Sequence, residues 1–140
     1  MRAFLASMII LLHLTGCSAS ANANGEPVNE IVIYYLSFGV DTFTPVTVDL
    51  IEKQADCRFV LAPDSEQARD LRALFEQGID GSFDSRVVRV KAIGLSPEPI
   101  FVDIDGGWLR GKEERKLPEP ALVALRSMLE AMAKREGCGE

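Results

Sequence analysis

The sequence is short of the side chains on which most enzyme and metal chemistry depends. It holds one histidine and three cysteines among 140 residues. The histidine, His13, lies in the N-terminal apolar stretch, so the rest of the chain has no imidazole. If that stretch is removed, catalysis by a Ser-His-Asp or Cys-His set is excluded. A zinc site is not predicted either, because the cysteines lie far apart in the sequence.

Positive charge is also scarce. The chain has 15 Lys and Arg against 21 Asp and Glu, which gives a formal net charge of −6 at pH 7. An acidic protein gains little from the phosphate contacts that dominate nucleic-acid binding, so no nucleic-acid partner is predicted. Anionic lipid headgroups would repel it as well, and attachment to a membrane therefore requires an anchor other than charge.

No apolar run is long enough to cross a bilayer. The longest runs from Ala3 to Leu14, roughly twelve residues, against the roughly twenty that a transmembrane helix needs. Arg2 supplies a positive charge immediately before it. A short apolar run behind a basic start is typical of a secretory signal peptide.

The apolar run ends in the sequence Leu14-Thr15-Gly16-Cys17. This resembles the lipobox of bacterial lipoproteins, a hydrophobic residue followed by two small residues and a cysteine. The resemblance implies that residues 1–16 are a signal peptide cleaved before Cys17, whose thiol carries a diacylglycerol with palmitate-type chains. If the organism is Gram-negative, Ser18 resembles the signal for the outer membrane, and the protein would face the periplasm. We therefore expect a protein of the cell envelope that contacts the membrane through its lipid anchor.

The mature chain is expected to have two parts. Residues 17–29 comprise the lipidated cysteine and small, mostly polar residues, which predict a flexible tether. Residues 30–140 are expected to form a single α+β domain, with a mostly antiparallel sheet of about four strands and helices packed on one face. The predicted strands are residues 30–38, 58–62, 86–93 and 100–104.

Helix signals separate these strands. Thr47 is expected to cap a short amphipathic helix, and Asp64 to cap a longer one that ends at Gly78. A last helix, with Pro120 in its first turn, is expected to close at Gly137.

Lipidation leaves two cysteines, Cys57 and Cys138. The first opens a predicted strand and the second follows the last predicted helix. An even number of cysteines in an oxidising compartment predicts a disulfide between them.

Two motifs come close to known binding loops and fail at a required position. Residues 106–112 match part of a phosphate-binding loop, but Glu113 stands where Ser or Thr is needed. Asp103, Asp105 and Glu114 have the spacing of an EF-hand, but Trp108 replaces the essential glycine. We therefore predict no metal and no cofactor, and expect Asp103 and Asp105 to point outward.

The best binding candidate is the outward face of the predicted hairpin. Strand alternation places Arg89, Lys91 and Phe101 there, and Trp108 and Arg110 are grouped with them. Cations beside aromatic rings suit an acidic or glycan partner. The alternative is an ordinary solvated face on which Lys91 or Arg89 pairs with Asp103.

These features favour a non-catalytic lipoprotein of the cell envelope that presents a small binding domain to an envelope protein or glycan. One alternative is a periplasmic inhibitor or immunity protein against a wall-degrading toxin. Another is a carboxylate-dependent hydrolase, although the many acidic residues single out no catalytic pair and no catalytic residue is assigned.

Overall fold

A computed structural model describes residues 30–138. The predicted signal peptide, Cys17 and the tether lie outside the described residues. Within them, three helices accompany one antiparallel sheet of six strands in the order β2-β1-β3-β4-β5-β6. The strands are β1 (Ile31–Tyr35), β2 (Cys57–Leu61), β3 (Val88–Ile93), β4 (Ile100–Asp103), β5 (Gly107–Arg110) and β6 (Glu113–Lys116), and the helices are α1 (Ile51–Gln54), α2 (Glu66–Glu76) and α3 (Glu119–Glu136). The α+β class and the antiparallel sheet are confirmed, and none of these helices has the length and apolarity to cross a membrane.

The expectation of about four strands is wrong, because β5 and β6 form a further hairpin at one edge of the sheet. Gly106 and Gly111 flank β5 with φ angles of 83° and 58°, a backbone region that favours glycine. These two turns fold the chain back twice. The sequence of β6 is wholly charged and therefore does not predict a strand, because an edge strand needs little apolar alternation.

The main core lies between α2, α3 and one face of the sheet. Ile31, Ile33 and Tyr35 alternate along β1 and are buried against it. Leu125 and Leu129 of α3 are both fully buried in the same cluster. Amphipathic helices on an alternating sheet therefore supply this hydrophobic core.

A second, smaller cluster lies on the opposite face. It contains Ile51 of α1 and Val88 of β3, and Tyr34 packs against it. Tyr34 sits between two strand residues of the main core, and successive side chains point to opposite faces of a sheet. The expected packing of the helices on one face is therefore not confirmed, because α1 belongs to this second cluster.

Two helix starts differ from expectation. The cap of α2 is Ser65, whose Oγ accepts a hydrogen bond from the Ala68 N–H at 3.2 Å, and not Asp64. Ser65 immediately precedes the first helical residue, where its short side chain can reach the third residue of the helix. The helix α1 starts after Leu50, not at Thr47, and no side chain caps it.

The predicted disulfide between Cys57 and Cys138 is confirmed, with Cα atoms 5.6 Å apart. Gly137 ends α3 in the left-handed conformation at φ 68°, as expected, and brings Cys138 against the sheet. The bond joins the end of α3 to the first residue of β2, across a sequence separation of 81 residues.

Candidate binding cleft

The five residues predicted to share an outward face do not lie together. Arg89 and Trp108 are each only 2 % exposed. Lys91 and Phe101 are half-buried on the face that carries α1. Val102 lies in the main core and is directly opposite Trp108, so Trp108 points to the main core as well. Arg110, two residues further along β5, projects from the same face.

Arg89 is removed from the surface by an irregularity in β3. The register shifts between Val88 and Val90, so that Val88 joins the second cluster and alternation no longer places Arg89 outward. Its guanidinium donates hydrogen bonds to the carbonyls of Val88 and Val40, each at 3.2 Å. Burial lowers the pKa of Arg89. Its role is to hold the loop that contains Val40.

Lys91 is occupied by a contact within the domain. Its Nζ forms an ion pair with Glu52 of α1 and lies 5.4 Å from the centre of the Phe101 ring. The alternative pairing with Asp103 is not formed. Lys91 therefore links α1 to the sheet.

Asp103 was expected to face solvent and is 3 % exposed. Its Oδ1 accepts hydrogen bonds from the N–H groups of Asp105 and Gly107 at 2.9 and 2.8 Å, and its Oδ2 from that of Asp84 at 2.8 Å. Burial raises the pKa of Asp103, and the three N–H donors oppose that effect. With both oxygens used by the backbone, this carboxylate shapes two turns and is not directed at a ligand.

A cleft of about 300 Å³ opens on the main-core side of the sheet. Its lining comes from α2 and the glycine that follows it, from the loop after β3, from the start of β4 and from the β5–β6 hairpin: Arg72, Phe75, Glu76, Gly78, Leu95, Ser96, Ile100, Trp108, Arg110, Glu113 and Arg115. The register explains the hairpin's share, since Ile100 is opposite Arg110, Arg110 is opposite Glu113, and Trp108 is opposite Arg115. All these side chains therefore project from the same face.

Trp108 contributes a buried polar group to the cleft. Its ring meets Phe75 edge to face, with centroids 5.9 Å apart. Its Nε1 is buried and has no hydrogen-bond partner among residues 30–138. A Cβ at Gly78 would lie 2.8 Å from Cζ2 and 3.1 Å from Nε1, so a glycine is needed for this close packing against the indole edge. An unpaired buried N–H costs roughly 1–3 kcal/mol, which an acceptor in the cleft would recover.

Two arginines of the β5–β6 hairpin line the same cleft as Trp108. Arg110 donates to Oε2 of Glu113 at 2.6 Å, and its guanidinium carbon lies 5.4 Å from the centre of the Trp108 ring. Arg115 Nε lies 3.4 Å from Oε1 of the same carboxylate. The hydrogen bond from Arg110 lowers the pKa of Glu113. Glu113 thus positions two guanidinium groups that retain further donors, since each has five N–H bonds.

The third arginine comes from α2. Arg72 Nη1 donates to the carbonyl of Pro63 at 2.8 Å, which fixes the side chain along the edge of the cleft. With three arginines against Glu76 and Glu113, the lining has an excess of one positive charge in an acidic chain. Trp108 and Arg110 were among the predicted binding residues, whereas Arg72 and Arg115 were missed.

The described residues contain no group of three or more His, Cys, Asp or Glu side chains that could hold a metal ion. No protein-family model, curated protein or solved structure matches the chain. Any function of the cleft must therefore be argued from its own residues and geometry.

Proposed function

We propose that the chain is a lipid-anchored protein of the bacterial cell envelope whose domain binds an envelope partner, a protein or a glycan, without catalysing a reaction. Cys17 carries the anchor, residues 1–16 are the signal peptide, and in a Gram-negative cell the domain faces the periplasm from the outer membrane. The observation that carries the binding function is the buried indole N–H of Trp108, unpaired within residues 30–138, in a cleft that three arginines also line. Few polar groups converging in a concave site are typical of recognition.

One carboxyl group of the cleft, that of Glu113, is unsuited to act as a general acid. A carboxylate-dependent hydrolase needs one acid that stays protonated at its working pH, through a raised pKa. Glu76 and Glu113 are the carboxyls that line the cleft. Arg110 lowers the pKa of Glu113, which is the opposite of what a general acid requires.

The anchor is tested by labelling cells with a radioactive fatty acid and fractionating them. The wild-type protein should carry the label and sediment with membranes, and Cys17→Ala should lose both properties. Ser20→Ala, three residues further along, is the matched control and should behave as wild type. Label retained on Cys17→Ala would refute the anchor.

The binding function is tested with the full-length lipoprotein as bait for an envelope extract. The double variant Arg110→Gln/Arg115→Gln should lose a partner that the wild type and Arg69→Gln retain, because Arg69 is an exposed residue of α2 outside the cleft. Unchanged capture by the double variant, or turnover of a wall polymer, would contradict the proposal. A captured wall-degrading enzyme that is inhibited by the complex would narrow the function to that of an inhibitor or immunity protein.

A further inference from the structure

We infer that the cleft recognises an oxyanion, a carboxylate or phosphate group, that receives hydrogen bonds from the Trp108 indole and from the guanidinium groups of Arg110 and Arg115. The inference rests on the proposed function, because it takes the same cleft as the binding site and adds the chemistry of its ligand.

The donors explain the preference for an anion. The indole Nε1 and the guanidinium groups only donate hydrogen bonds, so the group that satisfies them together must be an acceptor. Hydrogen bonds from arginine to a charged acceptor are about twice as strong as neutral ones. The buried N–H of Trp108 can be satisfied by a bound acceptor without displacing any partner within residues 30–138.

Glu113 shows where such a group would sit. Its carboxylate accepts a hydrogen bond from Arg110 on one oxygen and lies near Arg115 on the other. An oxyanion entering the cleft meets the same two guanidinium groups, which are already held close together. Glu113 therefore both positions the arginines and competes with the ligand for their donors.

The surroundings restrict the ligand further. The cavity volume of about 300 Å³ is at the lower end of the range for small-molecule sites. Phe75, Leu95 and Ile100 are buried residues of the lining and provide an apolar wall. The site thus fits one acidic residue or a similarly small anionic substituent of a larger molecule.

The experiment uses the fluorescence of Trp108, which is the only tryptophan of the chain. The full-length lipoprotein in neutral detergent is titrated with an N-acetyl dipeptide that has a free carboxylate, with the corresponding dipeptide amide, and with inorganic phosphate. An oxyanion should change the emission in the millimolar range and bind more weakly as salt is added. A response to the dipeptide acid alone indicates a carboxylate, a response to phosphate alone indicates a phosphate, and the amide should have no effect.

Two variants, each with a matched control, should change the affinity for the anion in opposite directions. Arg110→Gln should weaken binding about tenfold or more, since it removes a charge-assisted donor, and Arg69→Gln should not change it. Glu113→Gln should strengthen binding several-fold by freeing the arginines. Glu114→Gln removes the same charge from the neighbouring residue, which points to the other face of β6, and should have no such effect.

The inference is overturned if neither anion changes the emission, or if Arg110→Gln and Glu113→Gln both bind as the wild type does. If partner capture still depends on Arg110 and Arg115 in that case, the proposed binding function stands and only the ligand chemistry is wrong. If anions bind as expected while the envelope extract yields no partner dependent on these arginines, the ligand class stands and the proposed partner does not.

Discussion

Replacing Asp103 by asparagine should be one of the most damaging conservative changes in the domain. The carboxylate is 3 % exposed and accepts three backbone N–H groups, two on Oδ1 and one on Oδ2. An asparagine can keep its carbonyl oxygen at the Oδ1 position and continue to accept from Asp105 and Gly107. Its NH₂ group then faces the N–H of Asp84, so a donor meets a donor.

The magnitude follows from these contacts. The lost bond leaves a buried N–H unpaired, which costs roughly 1–3 kcal/mol. The two remaining bonds lose their charge assistance, about 1 kcal/mol each on the same scale. Against this, an amide avoids the cost of burying a charge, the cost that raises the pKa of Asp103. We expect a net loss of about 2–3 kcal/mol, and a fall in Tm on the order of 10 °C for a domain of this size.

Urea unfolding followed by far-UV circular dichroism measures this loss directly. Asp105→Asn is the matched control, because Asp105 lies two residues away, is exposed, and contributes no side-chain hydrogen bond within residues 30–138. It should change the free energy of unfolding by less than about 0.5 kcal/mol. Equal effects of the two substitutions would show that the buried carboxylate is not what holds the turns around β4.

Three further changes test other parts of the domain. Removing the disulfide with Cys57→Ala/Cys138→Ala should cost up to about 4.5 kcal/mol in urea unfolding, from loop-closure entropy over the 81-residue separation, and a loss below about 1 kcal/mol would contradict this. Gly78→Ala should displace the Trp108 ring and cost about 1–3 kcal/mol, and an unchanged emission spectrum would argue against the contact. Ser65→Ala should cost about 1 kcal/mol of thermal stability, and no change would exclude Ser65 as the cap.

Much of the fold could be predicted because its core elements have strong periodic signals. The apolar strand β1 and the amphipathic helix α2 pack as their patterns indicate. The hairpin of β5 and β6 escaped prediction, since the charged residues of β6 are equally typical of a solvated loop. Its pairing is decided by the turn at Gly111, where the glycine has a positive φ. The sequence signal for this hairpin was the pair of glycines, Gly106 and Gly111, at the two ends of β5.

The site was only half predictable for a related reason. Trp108 and Arg110 were chosen for their chemistry, but the face on which they lie depends on strand register. The irregularity between Val88 and Val90, which removes Arg89 from the outward face, likewise has no signature in the alternating sequence. Arg72 comes from α2 and meets the hairpin only through tertiary packing. Local patterns therefore indicate which residues carry hydrogen-bond donors, whereas long-range packing decides which of them meet.

The cleft lies close to the residue at which the predicted tether joins the domain. Ser96 lines the cleft, and Gly94, two residues earlier, packs so closely that a Cβ there would lie 2.8 Å from the carbonyl oxygen of Glu30. Glu30 is where the predicted tether joins the domain, so one wall of the cleft lies beside this attachment point. The thirteen residues from Cys17 to Asn29 span at most about 45 Å when fully extended. If Cys17 is lipidated and the cleft binds an oxyanion, both as proposed, the partner must present that oxyanion within the reach of this tether from the membrane.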